Sequence, residues 1–340
     1  MASAWPRARV DGLVAVPAAS GRVASRAPDG PRCRPASLVA GRIGSSSEQL
    51  PSHRQSGVPS VKNPPFVYHR PESVAEAVAL LAEHGDDAKV LAGGQSLLPT
   101  MALRLGPPAQ LIDIGRIPGL GDITAGPQGT SIGALARHAA AEHSADLAVH
   151  APLVHEAMPL VGHRAIRTRG TVVGSIVHAD PAAEMPAVAL TTGATVVAAS
   201  ADGERTIEAA GFFEGYLTTA LRSDELVTDV RFPAWGPHFG GAVVEVSRRH
   251  GDYAMVGLAC RLDVDGGEIV DAALAFFGVG STPVRVPVAE AALLGRPPLE
   301  DAFESAAVDV ARELSPGADV HASANYRRHV AGVLTRRGLA

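Results

Sequence analysis

The sequence predicts an α+β fold in three units: a small β-α-β subdomain at about 61–115, a second α+β subdomain at about 116–237, and a C-terminal domain, 238–340, of a three-stranded antiparallel sheet plus helices. Three observations predict it. Strand-like and helix-like apolar runs alternate over 66–114; short strands mix with small alanine- and histidine-rich helices over 115–237; three strand-like runs joined by turns precede three helical segments after Gly241. A chain of 340 residues usually holds two or three domains, and 46% hydrophobic content with 19% charge is ordinary for a globular protein with a real core.

Residues 1–60 stand apart, rich in Pro, Ser, Gly and Arg and without hydrophobic period. They carry eight arginines against Asp11, Asp29 and Glu48 and lack the apolar core of a secretory signal, so they read as a disordered leader or a misassigned start. Lys62 and Lys89 are the only lysines, a bias that fits a GC-rich bacterial genome. A net charge of -5 and the absence of a basic stripe interleaved with aromatics give no reason to expect nucleic acid. Cys33 and Cys260 are too few for a disulfide framework or a cysteine metal site, which fits a reducing, cytoplasmic compartment. The most apolar window, 187–199, is too short to span a membrane and is broken by Gly193.

Ordered structure is expected from Phe66. Ser73-Val74-Ala75-Glu76 is a capping box; Val74, Ala77, Val78 and Leu81 recur at helical spacing, and Gly85 is the stop signal. Residues 88–91 and 110–114 read as buried strands, with a helix-like turn at 100–105 between them. Strands are expected at 130–133, 194–199, 205–208 and 226–232. In the last unit, 241–247, 254–264 and 268–278 form a meander with a turn at Asp265-Gly266-Gly267, followed by helices at 287–294, 299–314 and 324–337. His138, His143, His150, His155 and His163 are read as helical surface histidines; His155-Glu156 begins like a zinc-protease motif, but Pro159 stands where its second histidine belongs.

Two glycine-bearing stretches carry the functional reading. Ala92-Gly93-Gly94-Gln95-Ser96-Leu97-Leu98-Pro99 follows a strand, and adjacent glycines there admit positive φ and let successive N–H groups converge on an anion such as a diphosphate. Arg169-Gly170-Thr171-Val172-Val173-Gly174-Ser175 is a second such stretch and runs into His178-Ala179-Asp180-Pro181-Ala182-Ala183-Glu184-Met185-Pro186. Asp180 before Pro181 is expected to be a helix N-cap. Two cradles in one region point to a large phosphorylated ligand. No Gly-x-Gly-x-x-Gly, Walker loop, Gly-x-Ser-x-Gly elbow or Cys-x-x-Cys occurs, which argues against a Rossmann dehydrogenase, a P-loop NTPase, an α/β-hydrolase and an iron–sulfur cluster on this chain.

These two stretches, with Arg248-Arg249-His250-Gly251-Asp252-Tyr253-Ala254, resemble in order and gaps the FAD-binding medium subunit of the molybdenum hydroxylases, the group of aerobic carbon monoxide dehydrogenase and xanthine dehydrogenase, from about Pro65 to the C-terminus. The resemblance implies a two-subdomain FAD-binding fold of the PCMH (vanillyl-alcohol-oxidase-like) type at 61–237 and a carbon monoxide dehydrogenase flavoprotein-like C-terminal domain at 238–340. It implies that the amides of Ala92, Gly93, Gly94, Gln95, Ser96 and Leu97 hold the FAD pyrophosphate. Thr171, Val172, Val173, Gly174 and Ser175 would meet phosphate or ribityl oxygens, Asp180 ligand hydroxyls, and Tyr253 the isoalloxazine. Gln95 and Val173 replace the histidine and the second glycine common in the family. No catalytic residue and no metal ligand is expected. Implied partners are a large molybdopterin-binding subunit and a small [2Fe-2S] subunit, assembled as a dimer of heterotrimers, with electrons passing from the clusters through FAD to an external acceptor. Two alternatives are a self-contained FAD-dependent alcohol or sugar oxidase and a flavin-free structural subunit.

Overall fold

A computed structural model describes residues 63–340; the expectations for residues 1–60 and for Cys33 lie outside the described residues. The first sheet comprises β1 (Val67–His69), β2 (Ala88–Leu91) and β3 (Gln110–Asp113), all parallel in the order β1-β3-β2. Between β1 and β2 runs α1 (Val74–His84), whose first turn is capped as the sequence predicts: the Glu76 N–H donates to the Ser73 hydroxyl oxygen at 3.2 Å, and Gly85 ends the helix at φ +50°. Ala77, Val78 and Leu81 are its buried face. β2 is an edge strand of which only Ala88 is fully buried, so the expectation of a buried strand holds for one residue; an edge strand shares only one flank with the sheet. The helix after the glycine loop, α2 (Leu97–Ala102), starts three residues before the expected turn.

The second sheet has the order β4-β5-β10-β6-β7, formed by β4 (Ile123–Gly126), β5 (Gly129–Gly133), β6 (Thr195–Ser200), β7 (Gly203–Glu208) and β10 (Leu226–Phe232), with β8 (Phe213–Gly215) and β9 (Thr218–Thr219) pairing apart. Six short helices fill the long connection from β5 to β6: α3 (His138–Glu142), α4 (Ala145–His150), α5 (Pro152–Ala157), α6 (Arg164–Arg167), α7 (Val172–His178) and α8 (Glu184–Thr192). The apolar window at 187–199 is thus the end of α8, a left-handed Gly193 at φ +67°, and a buried strand.

The last sheet is antiparallel, in the order β11 (Phe239–Ser247), β12 (Ala254–Asp265), β13 (Glu268–Phe277), β14 (Val284–Arg285). It therefore has four strands where three were expected. β14 pairs only two residues, Val284 with Phe276 and Arg285 with Ala275, and between Pro283 and Pro287 it is too short to show any alternation. The helices α9 (Pro287–Leu293), α10 (Glu300–Glu313) and α11 (Ala324–Leu339) lie where the sequence placed them.

Side-chain alternation gives this sheet two apolar faces. Val256, Leu258, Cys260, Leu274 and Phe276 pack under α9 to α11, whereas Val243, Ala259, Ala275 and Phe277 join the core of the preceding region. Two hydrogen bonds fasten that seam: the Thr191 hydroxyl donates to Ala259 O at 3.0 Å, and the Gly278 N–H donates to Pro181 O at 2.7 Å. No helix among the described residues is long and apolar enough to cross a membrane.

Candidate functional site

The two glycine-bearing stretches meet directly. A Cβ on Gly93 would lie 2.5 Å from Arg169 O and 2.7 Å from the Gly170 Cα, so only glycine lets the backbones touch. Gly94 turns the chain at φ +73°, with the Leu91 and Leu98 side chains where a Cβ would point. After that turn, Leu98 N–H donates to Gly94 O and Thr100 N–H to Ser96 O, but the five N–H groups of Gly93, Gly94, Gln95, Ser96 and Leu97 have no acceptor among the described residues. A run of consecutive free amides at a bend is an anion-binding nest, and its preference for negative charge follows from the aligned N–H dipoles.

The second stretch is the N-terminus of α7. Thr171, 2% exposed, is its N-cap, its hydroxyl oxygen accepting from Gly174 N–H at 3.1 Å, and the hydroxyl proton has no acceptor among the described residues. Gly174 and Ser175 lie on the open side of the helix; Val172, Val173 and Ile176 are core. Val172 and Val173, expected among the cofactor contacts, have side chains buried in the core, so any contact they make is through the backbone, and Val172 N–H donates to Ala136 O at 3.0 Å. Of this pair only the Val173 N–H remains without a protein acceptor among the described residues. Helical residues need no positive φ, so a valine in place of a second glycine leaves the backbone undisturbed.

Asp180 is not a helix N-cap. Ala179 takes a left-handed conformation at φ +53°, rare for a side chain and costing about 1–2 kcal/mol, and turns the chain out of α7. Asp180 then closes an Asx turn, its Oδ1 accepting from Ala182 N–H at 2.9 Å, and α8 begins only at Glu184 because Asp180 to Ala183 form a separate turn. The turn is held from behind by the Gly278–Pro181 bond. Gly278 O and Met255 O both accept from the buried Arg327 guanidinium, at 2.5 and 2.6 Å, which is in turn paired with Asp319 at 2.7 Å.

The third segment closes the arrangement. Gly251, at φ +82°, rests against the His163 ring, 2.5 Å from where its Cβ would stand, and His163 is the N-cap of α6, the helix that leads into Arg169-Gly170. Two residues on, the Tyr253 hydroxyl faces the side chains of Ser96 and Asp180. Tyr253 as a whole is 59% exposed, so it is no core aromatic, and burial acts at its hydroxyl. That burial, with the negative charges of Asp180 and Glu184, pushes its pKa up to about 12. Gly93 against Arg169-Gly170 and Tyr253 against Ser96 and Asp180 thus bring three distant stretches together. A diphosphate nest, hydroxyl donors, a carboxylate for ligand hydroxyls and an exposed aromatic ring fit the parts of FAD.

Three residues escaped the sequence reading. Arg137 donates from Nη1 to Arg169 O and so braces the bend against which Gly93 packs; it stands alone before α3, with no motif around it. His138, expected at the surface, is 4% exposed, and neither ring nitrogen has a partner. It packs under Gly170, where burial and the charges of Arg167 and Arg137 lower its pKa to about 4 and hold it neutral. Glu245 is the third, a carboxylate in a strand that its neighbours mark only as apolar. Among the described residues no group of three His, Cys, Asp or Glu side chains is arranged to hold a metal ion.

The profile of the family described as FAD binding domain in molybdopterin dehydrogenase matches residues 62–235, and that of the CO dehydrogenase flavoprotein C-terminal domain matches 242–340. The chain is 40% identical to the 6-hydroxypseudooxynicotine dehydrogenase complex subunit alpha of Paenarthrobacter nicotinovorans over 82% of this chain and 95% of that one. It is 36% identical to the carbon monoxide dehydrogenase medium chain of Hydrogenophaga pseudoflava over 81% and 96%. A solved structure of carbon monoxide dehydrogenase from that organism superposes with a TM-score of 0.79 at 38% identity, covering 82% of this chain and 97% of that one. These likenesses favour the medium-subunit reading over a self-contained oxidase or a flavin-free subunit. The chain belongs to the FAD-binding medium subunits of the molybdenum hydroxylases, oxidoreductases of the carbon monoxide dehydrogenase and xanthine dehydrogenase type.

Proposed function

We propose that this chain works beside a large molybdopterin-binding subunit and a small [2Fe-2S] subunit, in a dimer of such heterotrimers in the cytoplasm, and carries electrons from the small subunit's clusters to an external acceptor. The FAD-binding part is read as 61–237 and the flavoprotein C-terminal domain as 238–340. Bound FAD supplies the redox chemistry, so the protein's task is binding, orientation and control of water. The observation that supports this reading is the contact of Gly93 with Arg169-Gly170, which brings the stretch with the free amides of 93–97 against the stretch that starts α7. On this reading Ala92 to Leu97 cradle the pyrophosphate, and Thr171, Gly174, Ser175 and the Val173 N–H serve the adjoining oxygens. Asp180 accepts from ligand hydroxyls, and the Tyr253 ring flanks the isoalloxazine. No side chain in the crevice is assigned a catalytic proton transfer. Purification from the native host, with analysis of co-purifying chains, flavin, iron and molybdenum, tests the proposal. It expects FAD with both partner subunits; a chain that oxidises an alcohol or sugar unaided refutes it.

A further inference from the structure

The C-terminal helices reach toward the crevice through one buried cation. Arg327 stands in the first turn of α11 and is 7% exposed. Its Nη1 donates to Met255 O at 2.6 Å and to Gly278 O at 2.5 Å, while Nη2 pairs with Asp319 Oδ2 at 2.7 Å. Both carbonyls lie where a ladder runs out. The pairing of β12 with β13 stops at Gly257 and Phe277, and on the other flank Met255 is the bulged residue between Ala254, opposite Ser247, and Val256, opposite Val246. Gly278 turns at φ +75° with its backbone against β12; a Cβ on it would stand 2.7 Å from Met255 O and 2.9 Å from Ala254 O.

Each side of this junction leads to a residue of the crevice. Tyr253 is two residues before Met255. The Gly278 N–H donates to Pro181 O at 2.7 Å, and Asp180 is the neighbour of Pro181. One guanidinium therefore links the strand entered through Tyr253 to the turn that carries Asp180. A buried guanidinium is costly to desolvate, and an apolar side chain would fill its place without that cost, but only the planar fork holds two carbonyl oxygens and a carboxylate at once.

We propose that Arg327, oriented by Asp319, is a positioning residue of the cofactor crevice: it sets Tyr253 and Asp180 relative to each other, so that the C-terminal domain completes a site whose free amides lie in the preceding region. The inference rests on the reading that those two residues line the crevice.

The test follows Tyr253 itself. In the full chain carrying 3-fluorotyrosine and freed of flavin, Tyr253→Phe identifies its fluorine resonance among those of Tyr68, Tyr216 and Tyr326. Asp319→Asn is the mild variant: its amide oxygen keeps accepting from the His321 and Ala322 N–H groups in place of Oδ1, while its NH2 meets Arg327, so the link to the guanidinium alone is lost. Arg327→Lys keeps the charge without the fork. Both are expected to move the Tyr253 resonance, to leave those of Tyr68 and Tyr216 in place, and to unfold cooperatively. On reconstitution both are expected to bind FAD about tenfold more weakly, the loss that one charge-assisted hydrogen bond carries. An unmoved Tyr253 resonance in Asp319→Asn overturns the proposal, as does lowered stability with unchanged FAD affinity in either variant; should Arg327→Lys fail to fold, Asp319→Asn decides alone. A natural chain that binds no FAD overturns the functional reading instead, and the resonance, recorded without flavin, still decides on the positioning.

Discussion

Replacing Gly93 with alanine puts a methyl carbon 2.5 Å from Arg169 O and 2.7 Å from the Gly170 Cα, whereas ordinary contact begins near 3.4 Å. The bends must separate by about 0.9 Å, the difference of those distances, and both obstacles are backbone, one braced by Arg137. Overpacking of this kind costs about 1–3 kcal/mol. If FAD requires the bends in contact, the same strain appears in binding, where about 1.4 kcal/mol is tenfold, so affinity falls roughly 5- to 150-fold. Reconstitution of flavin-depleted protein, followed by flavin fluorescence, measures that loss. Gly121→Ala is the control, since no atom lies within 4 Å of its Cβ and its φ is ordinary. A Gly93→Ala protein that binds FAD as tightly as the Gly121→Ala control refutes the shared crevice.

Val173→Gly restores the family's second glycine but deletes a buried side chain from α7. The expected result is a loss of about 2–3.5 kcal/mol in denaturant unfolding, from about 1.5–3 of burial and about 0.4 of helix propensity, with no gain in flavin affinity. Thr171→Ala removes the cap of α7 and a free hydroxyl donor; stability is expected to fall by about 1 kcal/mol and flavin content with it, whereas Thr171→Ser retains both. Asp319 is held down at about 2, chiefly by the amides of Ala322 and His321 and then by Arg327. Its folded pKa lies below its ordinary value, so its stabilisation is present above about 4 and is lost as pH falls toward 2. Thermal melts across that window are expected to show a shallower acid decline in Asp319→Asn.

Much of the architecture was legible because its signals are local. Ser73 and Glu76 start α1 and Gly85 stops it within twelve residues, and the long strands of the last sheet are apolar runs between turn residues. β14 was illegible because two residues have no period. Asp180 misled because aspartate before proline suits a helix N-cap and a separate turn equally, and the left-handed Ala179 that decides between them has no marker in the sequence. Val173 was placed among the cofactor contacts because its neighbours are small, while its burial depends on the core behind α7. His138 was read as surface because histidine in a polar helix usually is.

By itself the sequence determined that two glycine bends and a tyrosine segment exist, in an order and at gaps that resemble one flavoprotein family, and that no other cofactor motif competes with them. Only the tertiary structure decided which groups face the crevice. Gly93 meets Gly170 across 77 residues of chain, and Tyr253 reaches Ser96 and Asp180 from the start of the last sheet's second strand. The physical reason is that backbone propensity and capping act within a turn or two of chain. Close approach, burial and unbalanced charge depend on segments that meet only when the core closes.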